Sequence, residues 1–116
     1  MRKIASIIVL SCLSVALWAQ SKNATYEAYI DEYCEVAIEQ QRKHGIPASI
    51  TMAQAILESA AGQSELATKA NNHFGIKCTS DWPGKTYKYD DNRQNECFRK
   101  YADVADSYED HSLFLK

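Results

Sequence analysis

Apolar and polar positions change their period along the chain. From about 26 to 44, Tyr26, Tyr29, Ile30, Tyr33, Cys34, Ala37, Ile38 and Gln41 recur at helical spacing, with Glu27, Asp31, Glu32, Glu35 and Glu39 outside that stripe. This predicts an amphipathic helix, with Thr25 placed to cap its start and Arg42, Lys43 and His44 complementing its C-terminal dipole ahead of Gly45. The stretch 46–62, IPASITMAQAILESAAG, predicts a second helix with Pro47 in its first turn. At 100° per residue, Thr51, Gln54 and Glu58 make its one polar stripe. Ile50, Met52, Ala53, Ile56 and Leu57 cover the rest, so the helix is expected to be buried nearly all round. Residues 64–70 suit a short helical turn. At Lys85 the period becomes two: 85–89 reads as a strand, 90–95 as a polar turn and 96–101 as a second strand, with Glu96, Phe98 and Lys100 on one face and Cys97, Arg99 and Tyr101 on the other. A last helix is expected from near Ser107, with Asp110 in a capping-box-like place, through Leu113 and Leu115. Because that pattern reaches Lys116 with no terminating signal, the domain is expected to be incomplete at its C-terminus.

Length and composition narrow the picture. A chain of 116 residues holds at most one domain, here a compact α+β unit, mostly helical with a small β-hairpin lobe. Residues 1–19 are set apart: a basic start, Arg2 and Lys3, precedes an apolar run over 4–18, too short to span a bilayer. This predicts a signal peptide cleaved after Ala19 and a domain over 20–116, exported to the periplasm, cell surface or extracellular space. Cys12 offers a lipoprotein alternative. No membrane insertion is expected after cleavage, and the protein is expected to be a monomer. The 13 Lys and Arg against 15 Asp and Glu give a net charge of −2, which loss of Arg2 and Lys3 makes −4. That balance argues against a nucleic-acid partner.

Cys34, Cys78 and Cys97 remain after cleavage. In an oxidising compartment Cys78 and Cys97, which bracket a loop and hairpin, are expected to form a disulfide, and Cys34 to be a small buried hydrophobe. His73, Cys78 and Cys97 fit no common zinc spacing, so no metal and no cofactor is expected.

Glu58 lies in the last turn of the second helix among apolar neighbours. Both settings disfavour an ionised carboxylate, which suits a general acid. The polar stripe also fits the solvated side of an ordinary helix. A second carboxylate on the hairpin would complete a constellation for glycoside hydrolysis, and Glu96, Asp90 and Asp91 are its candidates. Trp82, Tyr87 and Tyr89 are flat surfaces on which sugar rings could stack, although the two tyrosines equally suit cross-strand packing.

The ordered blocks MAQAILESAAGQSELA, NNHFGIKC, WPGK, ECFRKY and SYEDHSLFL resemble the glucosaminidase family of bacterial peptidoglycan hydrolases, glycoside hydrolase family 73. That resemblance implies a lysozyme-like fold and a substrate of peptidoglycan glycan strands, cut between N-acetylglucosamine and N-acetylmuramic acid. A muramidase or transglycosylase action, or a wall-binding fragment without activity, are the alternatives. The resemblance assigns the general acid to Glu58, in the block that also holds Gln54 and Ser59, and makes Glu96 the natural second acid. It puts Phe74 and Gly75 at the cleft floor, flanked by Asn72 and Lys77, and has Arg99 and Tyr101 bracing the hairpin. The family commonly carries an aromatic residue where this chain has Ala60 and Ala61.

Overall fold

A computed structural model describes the backbone from residue 2 to residue 116 and the side chains from residue 23 onward. The signal peptide expected over 1–19, its cleavage site and the alternative lipid site at Cys12 therefore lie outside the residues described in full. The elements run α1 (Arg2–His44), α2 (Ala48–Ser59), α3 (Glu65–Ala70), β1 (Lys85–Tyr89), β2 (Glu96–Lys100) and α4 (Val104–Leu115). Among the described residues no helix is long and apolar enough to cross a membrane.

Thr25 does not cap α1, because the helix already includes it. Gly45, in the left-handed region at φ 72°, closes α1 by donating its N–H to Gln41 O. Pro47 is the N-cap of α2 rather than its first turn and offers no side-chain acceptor. That acceptor comes from α1, where Gln41 Oε1 takes the Ala48 N–H at 2.9 Å. The helix corner is thus held by a side chain of the preceding helix, which satisfies one of the free N–H groups at the start of α2.

The core is built where these helices meet. Tyr29 and Ala37 of α1, Met52 and Ala55 of α2, Tyr108 of α4 and, from the loop after α3, Phe74 pack together. Burying each large side chain contributes about 1.5–3 kcal/mol, and the hydroxyls inside are satisfied in a chain. Tyr108 and Tyr29 hydroxyls lie 2.7 Å apart, and Tyr29 OH is 2.7 Å from His73 Nδ1. Burial pushes the His73 imidazole down to about 4, so the neutral ring accepts from Tyr29, which in turn accepts from Tyr108.

The expectation that α2 is buried nearly all round is not met. Thr51, Met52, Ala55 and Ser59 face inward, whereas Ile50 and Leu57 are exposed, Leu57 by 77%. Four buried positions on a 12-residue helix make one face, because α1 covers only one side of it.

The hairpin matches its expected boundaries except that Tyr101 lies just beyond β2. Lys85, Tyr87 and Tyr89 pair with Lys100, Phe98 and Glu96. On the other edge of β2, Lys77 bridges to Phe98, Arg99 N donates to Ile76 O, and Cys78 N donates to Cys97 O. The Cys78–Cys97 disulfide closes this edge, with Cα atoms 5.4 Å apart. Cys34 is a free thiol, partly buried. The last helix starts three residues before the expected Ser107. Asp103 is its N-cap, accepting from Asp106 N, and Ser107 turns inward to Val104 O. Asp110 is not a capping residue but a hydrogen-bond acceptor for the hairpin.

Candidate active-site groove

Glu58 owes its position to the way α2 stops. Ala60, Ala61 and Gly62 are all left-handed, at φ 50°, 53° and 81°, and the N–H groups of Ala60 and Ala61 both return to Ile56 O. Two alanines in that region cost about 1–2 kcal/mol each, so the surroundings must enforce the turn. Ser59 does so from inside: fully buried, it donates to Ala55 O and accepts from Gly62 N at 2.8 Å. A Cβ at Gly62 would sit 3.2 Å from the Tyr29 ring, so only glycine lets the turn lie this close to the core. Ser64 then caps α3 by accepting from Ala67 N.

The turn leaves Glu58 on the rim of a groove of about 230 Å³, lined also by Ser64, Glu65, Leu66, Gly75, Tyr89, Asp91 and Phe98. Gly75, at φ 65°, is the floor opposite Glu58. A Cβ there would stand 3.9 Å from Glu58 Oε2. The loop carrying Gly75 is tied down by Asn72, whose Nδ2 donates to Ile76 O and Arg99 O, both at 2.9 Å, while its Oδ1 accepts from Ile76 N.

Several expected positions are revised by this geometry. Glu58 is exposed to water, since the apolar residues beside it, Leu57 above all, point outward. Ser59 and Asn72 are wholly buried and meet protein rather than the groove. Phe74 is buried too, stacked on His111 with ring centroids 3.9 Å apart. Gln54 is exposed, and its Oε1 lies 2.8 Å from His111 Nε2. Thr51, placed on the same polar stripe, is buried, and its hydroxyl has no hydrogen-bond partner among the described residues. Glu96 does not line the groove: the strand bridge at Lys77 brings that ammonium within 3.6 Å of it, and the two form an ion pair. Asp91, at the hairpin tip, does line it.

The aromatic residues divide. Tyr89 lines the groove. Tyr87 donates its hydroxyl to Glu65 Oε2 at 2.7 Å, linking hairpin to α3, and that carboxylate pushes the Tyr87 phenol up. Trp82 is not at the groove but on the far side of the hairpin, under the Arg99 guanidinium at 4.4 Å. Glu65 was missed as a groove residue. Its signal was the Ser64 cap, which fixes Glu65 in the first turn of α3, beside the end of α2.

Arg99 braces the hairpin as expected. Its three nitrogens donate to Asp110 Oδ2, Thr79 Oγ1 and Lys77 O, at 2.9, 2.9 and 3.1 Å. Tyr101 donates to the same Asp110 oxygen at 2.6 Å, and burial, with the carboxylate beside it, pushes its phenol far up. No cluster of three or more His, Cys, Asp or Glu side chains suited to a metal ion occurs among the described residues.

The model of the Glucosaminidase family, described as mannosyl-glycoprotein endo-beta-N-acetylglucosaminidase, matches residues 34–116. The chain is 42% identical over 83 residues to the exo-glucosaminidase LytG of Bacillus subtilis, a match covering 66% of this chain and 29% of that protein. It is similar in structure to the catalytic domain of the autolysin Auto from Listeria monocytogenes, with TM-score 0.65 and 31% identity over 78% of this chain and 56% of that one. It is also similar to the glycoside hydrolase domain of FlgJ from Salmonella typhimurium, with TM-score 0.66 and 25% identity over 78% of this chain and 60% of that one. The chain therefore spans under a third of LytG and somewhat more than half of each solved domain.

Proposed function

The chain belongs to the glucosaminidase family and has its lysozyme-like fold, and from that premise we propose that it is an exported peptidoglycan hydrolase. It cleaves the β-1,4 bond between N-acetylglucosamine and N-acetylmuramic acid, with Glu58 as general acid. The observation that carries this reading is the groove itself, where Glu58 on the end of a helix and Asp91 on the hairpin line one space above a side-chain-free floor at Gly75. A glycan strand crossing Gly75 would meet an acid from each side.

Glu58 donates its proton to the glycosidic oxygen as the bond breaks. In the free protein its carboxyl is open to water, and a strand lying over it would exclude that water from the reacting bond. Asp91 supplies the opposing negative charge, activating a water or steadying the positive sugar. We prefer it to Glu96, whose charge is already answered by Lys77. A separation of about 5–5.5 Å between the two carboxyls in the bound state would mean retention, and one of about 6.5–9.5 Å inversion. Tyr89, beside the acids, offers a ring face to the sugar.

Digestion of purified peptidoglycan, with reducing ends labelled and identified by mass spectrometry, tests the reading. New N-acetylglucosamine reducing ends are expected. N-acetylmuramic acid ends would reassign the bond to a muramidase-type cut, and retention on the wall with no new ends would make the chain a binding module.

A further inference from the structure

The displaced indole of Trp82 marks a different place in the fold. With Tyr101 and Leu113 it walls a cavity of about 670 Å³ that shares no lining residue with the groove at Glu58. We propose that this cavity is a second, non-catalytic site that binds a short peptide bearing a free carboxylate and a free amine, the kind of peptide that substitutes peptidoglycan strands. The source of the peptide rests on the proposed function, whereas its charge pattern is argued from the cavity alone.

The charges that line the cavity are unequally committed. Asp110 is held by Arg99 and Tyr101, and Glu109 by His44 and Lys43. Lys85 and Lys100, from the hairpin, make no ion pair among the described residues, and they are direct register partners across the two strands. Like charges placed opposite one another destabilise a hairpin, and a carboxylate bound at them relieves the repulsion. On the helix side Asp106 is likewise without an ion-pair partner. Its carboxylate is left to receive an ammonium group, so the two walls together select a zwitterion.

The apolar wall is already fixed before any ligand arrives. Trp82 Nε1 donates to Lys85 O at 2.9 Å, and Arg99 packs on the ring. The chain at Gly84 passes so near that an added Cβ would lie 2.4 Å from the indole. An immobile ring loses little entropy on binding, which favours even a small ligand. The cavity volume falls within the roughly 300–1,000 Å³ of small-ligand sites.

Calorimetric titration of the whole chain with a synthetic tetrapeptide, carrying one free side-chain amine and a free C-terminal carboxylate, tests the assignment. Saturable binding is expected, and replacing both lysines, Lys85→Ala with Lys100→Ala, should weaken it about tenfold or more. Both side chains are exposed, so the fold should survive the change. Amidating the carboxylate should weaken the wild-type interaction comparably. An N-acetylglucosamine tetramer should not displace the peptide. Absence of binding, equal binding by the double variant, or displacement by the sugar would each overturn the proposal. Because no bond need be cut, a failure of hydrolysis leaves this result standing, and intact hydrolysis without peptide binding sinks this site alone.

Discussion

On the back of the hairpin, Arg99 makes three hydrogen bonds, stacks over Trp82 and shares Asp110 with Tyr101, and a disulfide ties the same strand to residue 78. On the groove face, one exposed hydrogen bond from Tyr87 to Glu65 links the hairpin to α3. Arg99 and Tyr101 are buried, while Tyr89 and Asp91 are open to the groove. The same two strands are thus over-determined behind and lightly held in front. The proposed hydrolase activity would call for this asymmetry, because a face that meets a polymer must stay open while its backing keeps Glu58 and Asp91 in register.

The largest break in that contrast comes from Arg99→Ala. It strands the Asp110 carboxylate and two further acceptors, Thr79 Oγ1 and Lys77 O, in a site where the arginine side chain is only 9% exposed, and should cost about 3–5 kcal/mol in denaturant unfolding. Replacing both Cys78 and Cys97 with serine should cost about 3 kcal/mol by the same measurement, since the closed loop of the unfolded chain is released. The helical interior under the Ser59 turn can be probed through His73. Its folded value lies below the unfolded one, so its contribution is fully present above the unfolded value near 6.5 and is lost as pH falls toward 4. Thermal scans should show a loss of about 2 kcal/mol at a pH of about 4.5 that His73→Gln does not share. On the front face, Tyr87→Phe removes only an exposed contact and should leave the unfolding midpoint essentially unchanged. If Tyr87→Phe proved as damaging as Arg99→Ala, the contrast between the faces would be wrong.

The strands, their register face and the disulfide were legible in the chain because they rest on local signals: a period of two, a polar turn and two cysteines at its base. The ends of the helices were less so. Thr25 looked like a cap but falls inside a longer helix, and α2 takes its N-terminal partner from Gln41, a side chain no local pattern points to. The start of α4 was missed because its cap, Asp103, comes only two residues after the expected end of the strand at Tyr101, which leaves little local pattern to separate the two elements. Within the groove, Glu58 and Gly75 were both singled out from the sequence, one as the acid and one at the cleft floor, and they line one space, but the environment of the residues around them was not legible. Ser59 and Asn72 work from inside, and Leu57 does not shield the acid. Choosing Asp91 over Glu96 depends on Lys77 lying beside Glu96, a contact created by a bridge across 21 residues of chain.

Release of reducing sugar from purified peptidoglycan by the wild-type chain and by Glu58→Gln tests the central claim most directly. Glu58 is exposed and its side chain makes no hydrogen bond among the described residues, so the variant should unfold at the same temperature as the wild type. Its rate should fall about a hundredfold or more, the loss expected when a general acid is removed. A variant that unfolds normally and releases sugar as fast as the wild type would contradict the account.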